Sequence, residues 1–205
     1  MKLRILFVFV VFALTVSAAL ADKDSRISID NPNNSLVFGY IDMSDAPTKV
    51  EGAWLQQLSP PTDKPYWSMG IKKGLFYNTF IQSGTYQISK FAGSGFMAGS
   101  HEYHFPRQGR NETAVRIEKP GIYFLGAYKY VKARKGGMFK RAKFSIEPIS
   151  EPTETELLRR ILEDEMKMQK SKEYKGPRQV KIKETVWADR IRAYLEDSTH
   201  PAGME

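Results

Sequence analysis

Residues 83–88 read SGTYQI, and residues 120–125 read PGIYFL. In each stretch a glycine stands where a turn is expected, and the tyrosine two residues later begins a strand-like alternation. A period of two places that tyrosine on the same strand face as the Ile or Leu two positions further on. The repeat therefore predicts two places where a turn leads directly into a strand of a β-rich core.

Further strands are predicted on both sides of this repeat. About eight short strands with turn residues between them favour an antiparallel β-sandwich over a parallel α/β sheet. The stretch 36–41 is apolar on both alternating faces, which indicates a strand covered on both sides. A Gly-rich stretch at 92–100 is predicted to be a flexible connection. The predicted strands cover residues 36–41, 50–58, 66–71, 75–81, 85–91, 101–105, 113–118, 122–131 and 139–147.

Helical periodicity begins after Pro148. Thr153 with Glu156 three residues later predicts a capping box, and a helix follows. A polar linker is predicted at 170–183, and a second amphipathic helix at 187–195. The apolar stripe of the first helix consists of Leu157, Leu158, Ile161, Leu162 and Met166. Two such stripes either dock on the β-domain or bind a partner helix or a membrane surface.

The first 21 residues have the layout of a secretory signal peptide. A basic start precedes an apolar run at 5–16 and the small-residue motif Ala19-Leu20-Ala21. The run is shorter than the roughly 20 residues that cross a bilayer, so we expect cleavage and no later transmembrane segment. The protein is therefore expected to be exported, to the periplasm or the outside. The predicted organisation is a signal peptide at 1–21, an N-terminal segment at 22–35, a β-sandwich at 36–148 and a helical appendage at 149–205.

The composition limits the classes of partner. The chain has no cysteine, which excludes disulfides and a lipidated thiol anchor. Its 31 Lys and Arg and 23 Asp and Glu give a formal charge of +8. Removing Lys2 and Arg4 with the leader leaves 29 basic residues and a charge of +6. For an exported protein this surplus favours an envelope protein or an anionic polysaccharide or lipid surface over nucleic acid, although an ordinary solvated surface has a similar charge.

The densest positive charge falls in a predicted hairpin whose turn is Lys135-Gly136-Gly137-Met138. Seven cations occur there without an intervening acid, and two tyrosines on the first strand offer rings that can stack on a sugar. The alternative is that the charges keep edge strands from joining other sheets. The candidate binding residues are Tyr128, Lys129, Tyr130, Lys132, Arg134, Lys135, Lys140, Arg141 and Lys143.

No catalytic constellation is evident in the sequence. The chain lacks a Gly-x-Ser-x-Gly elbow, and its three histidines are His101, His104 and His200. The HEYH stretch spaces its histidines three apart on a predicted strand, unlike the helical metalloprotease motif. Glu102 and His104 share a strand face, with Tyr103 pointing inward, so two metal ligands lie together and a third is missing. We predict a non-enzymatic protein without a cofactor, and a metal-dependent hydrolase that uses His101, Glu102 and His104 is the less favoured alternative.

The segment 74–88, GLFYNTFIQSGTYQI, resembles the Gly-x-Phe, apolar, Pro-Gly-x-Tyr-x-Leu pattern of carboxypeptidase-regulatory-like and transthyretin-like β-sandwiches. It is also similar to small uncharacterised bacterial envelope proteins, many of which are lipoproteins. The resemblance covers roughly residues 36–147, with Ser83 in place of the usual Pro, and without a lipidation Cys it does not imply an anchor. It implies a binding or accessory module with no shared catalytic set.

These features favour one function and leave another open. The first is a non-catalytic exported β-sandwich that binds an anionic or carbohydrate envelope surface, or an envelope protein, through the basic hairpin and exposed aromatics. The second is an interaction adaptor that works through the C-terminal amphipathic helices.

Overall fold

A computed structural model describes residues 28–46, 49–63, 66–95, 99–105, 110–131, 145–167 and 179–199. The strands of the large sheet are β1 Ser35–Asp42, β2 Lys49–Ser59, β3 Tyr66–Lys72, β4 Leu75–Ile81, β5 Gly84–Gly95, β6 Gly99–His104, β7 Val115–Ile117, β8 Ile122–Val131 and β9 Ser145–Pro148. The C-terminal elements are α1 Glu154–Leu162, β10 Glu165–Lys167, β11 Gln179–Lys181, a 3-10 helix Ile182–Glu184 and α2 Val186–Thr199. In these described ranges, no helix is long and apolar enough to cross a bilayer.

One curled, mixed sheet contains the first nine strands. Its order is β6-β5-β2-β3-β4-β1-β8-β9, and β7 pairs with β5 beside this path. The predicted β-rich fold is confirmed, but the clean antiparallel sandwich is wrong, because the sheet forms a half-barrel. The reason is the position of β1, which pairs antiparallel with β4 and parallel with β8. Strands that a sandwich would divide between two sheets are thereby hydrogen-bonded into one.

The concave face of the sheet holds the main core. Tyr86 and Ile88 of the first repeat and Leu125 of the second are buried there, and Tyr123 packs against them. The repeat therefore places the predicted residues on the inner face of the sheet. Edge-on aromatic contacts add to this apolar burial, with 6.0 Å between the ring centroids of Phe76 and Phe91.

The two C-terminal helices cover the opposite, convex face of β1 and β4. Leu36 and Phe38 of β1 point into this second core, whereas Val37 and Ile41 point into the concave core. The prediction that β1 is covered on both sides is therefore confirmed. The helical side chains buried in the second core are Leu157, Leu158 and Ile161 of α1 and Trp187 and Ile191 of α2. Both stripes thus dock on the sheet, and neither is left open for a partner helix.

The first helix begins as predicted and ends earlier. The hydroxyl oxygen of Thr153 accepts from the backbone N–H of Glu156, whose carboxylate accepts from the N–H of Thr153 at 2.8 Å. Two residues after the helix, Asp164 accepts hydrogen bonds from Lys72 at 2.5 Å and from the Tyr77 hydroxyl at 3.0 Å. These bonds attach the end of α1 to the sheet. Burial, and then the Asp164 charge, raise the pKa of Tyr77.

The predicted Gly-rich connection and the predicted polar linker both contribute residues to β-strands. The Gly-rich stretch continues β5 as far as Gly95 and begins β6 at Gly99, because ladder hydrogen bonds need no side chain. A Cβ at Gly93 would collide with the Lys49 carbonyl oxygen, so glycine allows β2 and β5 to approach closely. The predicted linker contributes β11, which pairs with β10, and the 3-10 helix with its buried Ile182.

Candidate functional site

The outer face of β3, β2, β5 and β6 carries an open groove of about 670 Å³. Inward positions of these strands fill the concave core, so the outward positions alternate with them. The helices pack over β1 and β4 and leave this part of the convex face to solvent. The groove is lined by Trp54, Gln56, Tyr66, Gln87, Ser89, Lys90, His104 and Phe105.

Strand register arranges these side chains in two rows. Trp54 of β2 lies opposite Lys90 of β5, which in turn lies opposite His104 of β6. In the neighbouring row, Gln56 lies between Tyr66 of β3 and Gln87 of β5. Directly opposed residues of antiparallel strands share a face, so each row crosses the groove from strand to strand.

A β-bulge at Ser89 shapes the middle of the groove. The register moves from Trp54 opposite Lys90 to Leu55 opposite Ile88, which leaves Ser89 as the extra residue. Its hydroxyl donates to the Trp54 carbonyl oxygen at 3.0 Å. A bulge turns an additional side chain toward one face of a sheet. As a result, both Ser89 and Lys90 line the groove.

Lys90, Glu102 and His104 form a hydrogen-bonded line at one side of the groove. The ammonium of Lys90 lies 4.7 Å from the Trp54 ring centroid and 2.5 Å from one Glu102 oxygen. The other Glu102 oxygen lies 2.8 Å from Nε2 of His104. The hydrogen bond from Lys90, and then that from His104, hold the pKa of the Glu102 carboxyl below its usual value. Glu102 thus remains ionised and keeps Lys90 in place beside the tryptophan.

The HEYH stretch has the predicted strand geometry. Glu102 and His104 share the outer face, while Tyr103 packs on the concave core and Phe105 is buried in it. The side chain of His101 lies outside the described part of the chain. Among the described residues, no group of three His, Cys, Asp or Glu side chains is placed to hold a metal ion.

Tyr66 is the most solvent-exposed of the large apolar side chains in the described ranges, at 57%. It begins β3 and lies beside Gln56, at the side of the groove opposite His104. An exposed aromatic ring on the polar face of a sheet offers a flat apolar surface and a hydroxyl together. The groove therefore combines one exposed ring with amide, hydroxyl and charged groups.

Residues 111–113, between β6 and β7, are hydrogen-bonded to β5 beside the groove residue Gln87. The backbone N–H of Asn111 donates to the Gln87 side chain at 3.1 Å, and its amide donates to the Ile88 carbonyl at 2.8 Å. The hydroxyl of Thr113 accepts from the N–H of Ile88 at 2.8 Å. These bonds hold the Gln87 side chain and the backbone of Ile88 in place.

The structure corrects the prediction for the two hairpin tyrosines. Tyr128 and Tyr130 are only 5% and 7% exposed, so neither presents a ring face to a sugar. The cause is a bulge at Gly126, whose φ of +107° favours glycine. Two β8 residues there oppose Gly39 of β1, which shifts the alternation by one and turns Tyr128 inward. Burial raises the pKa of both tyrosine hydroxyls. The Tyr128 hydroxyl also donates a hydrogen bond to the Leu125 carbonyl oxygen.

Lys129 is the one cation of the predicted basic cluster that lies in the described part of the chain, and it makes a partly exposed ion pair. Lys129 is bound by Asp45 at 3.0 Å, and this carboxylate raises the pKa of the lysine. Strands β8 and β9 pair antiparallel from Tyr128 opposite Pro148 to Val131 opposite Ser145, as a hairpin requires. The other predicted cations lie outside the described residues: Lys132, Arg134, Lys135, Lys140, Arg141 and Lys143.

The groove was missed because its residues are distant in sequence and carry no motif. A partial signal was present, since a period of two places Trp54 on the same strand face as the neighbouring Gln56 and Tyr66 on the same face as Ser68. An aromatic on the polar face of a strand is the pattern that would have found it.

Comparisons with known proteins do not place this chain in a family. No family model matches it, and no curated protein matches it. Part of a leucine-rich repeat protein from Bacteroides thetaiotaomicron is similar to this chain, with a TM-score of 0.31 and 13% identity. The match covers 54% of this chain and 15% of that protein, so the chain spans a small part of its length. A likeness of this size bears on neither function nor the transthyretin-like resemblance, which stays a prediction.

Proposed function

We propose that this protein is a non-catalytic, exported carbohydrate-binding module, and that the groove over β3, β2, β5 and β6 is its binding surface. The observation that carries the proposal is the exposed ring of Tyr66 in one open groove with Gln56, Ser89, Lys90 and His104. Export rests on the leader-like residues 1–21, which lie outside the described part of the chain.

The chemistry of the groove suits a sugar better than an apolar ligand. A pyranose ring has a C–H face that packs on an aromatic ring and hydroxyl groups that need donors and acceptors at its rim. Tyr66 supplies the ring, while Gln56 and Ser89 supply an amide and a hydroxyl. Lys90 covers the Trp54 ring, so Trp54 supports the floor of the groove rather than acting as the main stacking surface.

The charged groups in the groove favour binding over hydrolysis. Most glycoside hydrolases use two carboxyl groups on either side of the scissile bond, about 5 to 9.5 Å apart. Among the described residues, Glu102 is the one carboxylate in the hydrogen-bonded line beside the groove, and one of its oxygens binds Lys90 while the other binds His104. This arrangement fixes a charge and supplies no second acid.

The test is retention of the purified protein on cell-wall polysaccharides and on a glycan array. Tyr66→Ala should weaken binding about tenfold, which corresponds to about 1.4 kcal/mol for one stacked ring. Tyr66→Phe keeps the ring and should retain most of the affinity. Val186→Ala is the matched control, because Val186 is an exposed apolar residue on α2, away from the groove.

Two outcomes would contradict the proposal. Unchanged glycan binding by Tyr66→Ala and by Trp54→Ala would exclude the groove. Loss of retention in a Lys135→Glu, Lys140→Glu, Arg141→Glu variant, with the groove variants unaffected, would assign binding to the predicted basic hairpin instead.

A further inference from the structure

A second cleft, of about 650 Å³, opens on the same outer face further along β2 and β5. Ser59 of β2 lies opposite Thr85 of β5, and Thr85 lies opposite Arg116 of β7. Opposed residues of antiparallel strands point to the same face, so two hydroxyls and a guanidinium form a third row. Arg110, from the loop after β6, also lines this cleft.

The two openings follow one another along the same pair of strands. Gln87 lines the first and Thr85 the second, and two residues of a strand span about 7 Å. A register shift between Gln57 and Ser59 keeps Ser59 in phase with Thr85. The path from Lys90 to Thr85 is about 15 Å at strand spacing, which suits an extended chain of several sugar units.

The second cleft has an excess of positive charge. Arg116 makes an exposed ion pair with Glu118, with 3.2 Å between Nε and the carboxylate oxygen. Such a pair contributes little, and the guanidinium retains other N–H donors. In the described part of the chain Arg110 is exposed, with no hydrogen-bond or ion-pair partner. The lining thus carries two guanidiniums and one carboxylate, and each guanidinium can bind a carboxylate, sulfate or phosphate group through two parallel N–H donors.

We propose that Arg110 and Arg116 form an anion subsite, so that the ligand is a carbohydrate chain with an anionic substituent. This inference rests on the proposed function of the neighbouring groove. A sugar ring lies beside Tyr66, and the substituent lies between the two guanidiniums, within reach of the Ser59 and Thr85 hydroxyls. The groove contributes affinity for the ring, and the second cleft contributes selectivity for charge.

The experiment compares charged and neutralised forms of the same backbone. The probes are an oligogalacturonate and its methyl ester, and a heparin oligosaccharide and its desulfated, N-acetylated and carboxyl-reduced form, together with a glycan array. At low ionic strength the protein should bind the charged member at least about tenfold more tightly. Arg110→Gln with Arg116→Gln should remove this preference and leave binding of the neutral members unchanged. Arg192→Gln is the matched control, because Arg192 is an exposed arginine paired with Asp189 on α2.

A substitution that is expected to strengthen anion binding provides a second test. Glu118→Gln releases Arg116 and should raise affinity for the charged probes about twofold to threefold. Asp189→Asn makes the same change in net charge at a distant ion pair and should have a much smaller effect.

The outcomes separate the two proposals. Failure to bind any glycan overturns the proposed function and this inference together. Glycan binding without a preference for anionic members overturns the inference alone. A preference that survives the double arginine change also overturns it, because the anion then binds elsewhere.

Discussion

Trp187 is fully buried in the second core and joins the two ends of the described chain. Its indole N–H donates to the Ile29 carbonyl oxygen at 3.1 Å, just before β1. The neighbouring Val186 donates its backbone N–H to the Asp30 carboxylate. Trp187 therefore couples α2 to the segment that leads into the sheet, and its removal tests whether the helices belong to the same cooperative unit.

Trp187→Ala should lower the free energy of unfolding by about 4 kcal/mol. Removal of a buried aromatic side chain costs about 3 to 5 kcal/mol, and the Ile29 carbonyl also loses its donor. With a urea m-value of about 2 kcal/mol/M for a chain of this size, the midpoint should fall by about 2 M. Trp187→Phe keeps an apolar ring without the donor and should cost about 1 to 2 kcal/mol.

Urea unfolding followed by far-UV circular dichroism measures these changes without depending on the deleted fluorophore. Val186→Ala is the control, because this adjacent side chain is 38% exposed and should change stability by less than about 0.5 kcal/mol. A loss below about 1 kcal/mol for Trp187→Ala would refute the reasoning. It would show that α2 unfolds separately from the sheet.

Three further predictions follow from the same contacts. Truncation after Ser150 removes both helices and should prevent stable folding, because the apolar convex face of β1 and β4 becomes exposed. A cooperative thermal transition in the truncated protein would contradict this prediction. Thr113→Val removes the acceptor for the buried Ile88 N–H and should cost about 1 to 3 kcal/mol in urea unfolding, whereas Thr113→Ser should restore most of it. Burial raises the pKa of Tyr86 to about 12, above its unfolded value of 10.0, so its neutral form stabilises the fold below pH 10. This contribution should be lost progressively as the pH rises from about 10 to 12, by up to about 3 kcal/mol. Tyr86→Phe should reduce the pH dependence of the urea midpoint over that interval, with the contributions of Tyr77, Tyr128 and Tyr130 remaining, and an unchanged slope would exclude Tyr86 as a source.

The proposed site depends on contacts that no local pattern contains. Trp54, Lys90 and His104 come from three strands and meet only because β2 and β5 pair and β6 adds to their edge. The outward placement of both Ser89 and Lys90 depends on a β-bulge, and the residues around position 89 have no sequence pattern that predicts it. Sequence reasoning could identify strands at these positions, but it could not bring their outward residues together.

In the predicted basic hairpin, a clear local pattern predicted a binding surface, and contacts from distant residues changed the outcome. A run of seven cations without an acid in the sequence is a real local pattern, yet Asp45 reaches Lys129 from the loop after β1. A period of two from Tyr123 puts Tyr128 and Tyr130 on the opposite, outward face, because they follow it by five and seven residues, but the extra residue at Gly126 interrupts that period and turns them inward. Local spacing therefore gave the wrong direction for Tyr128 and Tyr130.

The sequence by itself determined the features that depend on neighbours a few residues apart. These are the inward positions of Tyr86 and Ile88, the capping box of Thr153 and Glu156, and the two apolar faces of β1. The tertiary structure decided the parallel pairing of β1 with β8, the docking of both helices and the position of the groove. Strand order, register and bulges are selected by the burial and hydrogen bonding of the whole sheet, and these energies depend on residues far apart in the chain.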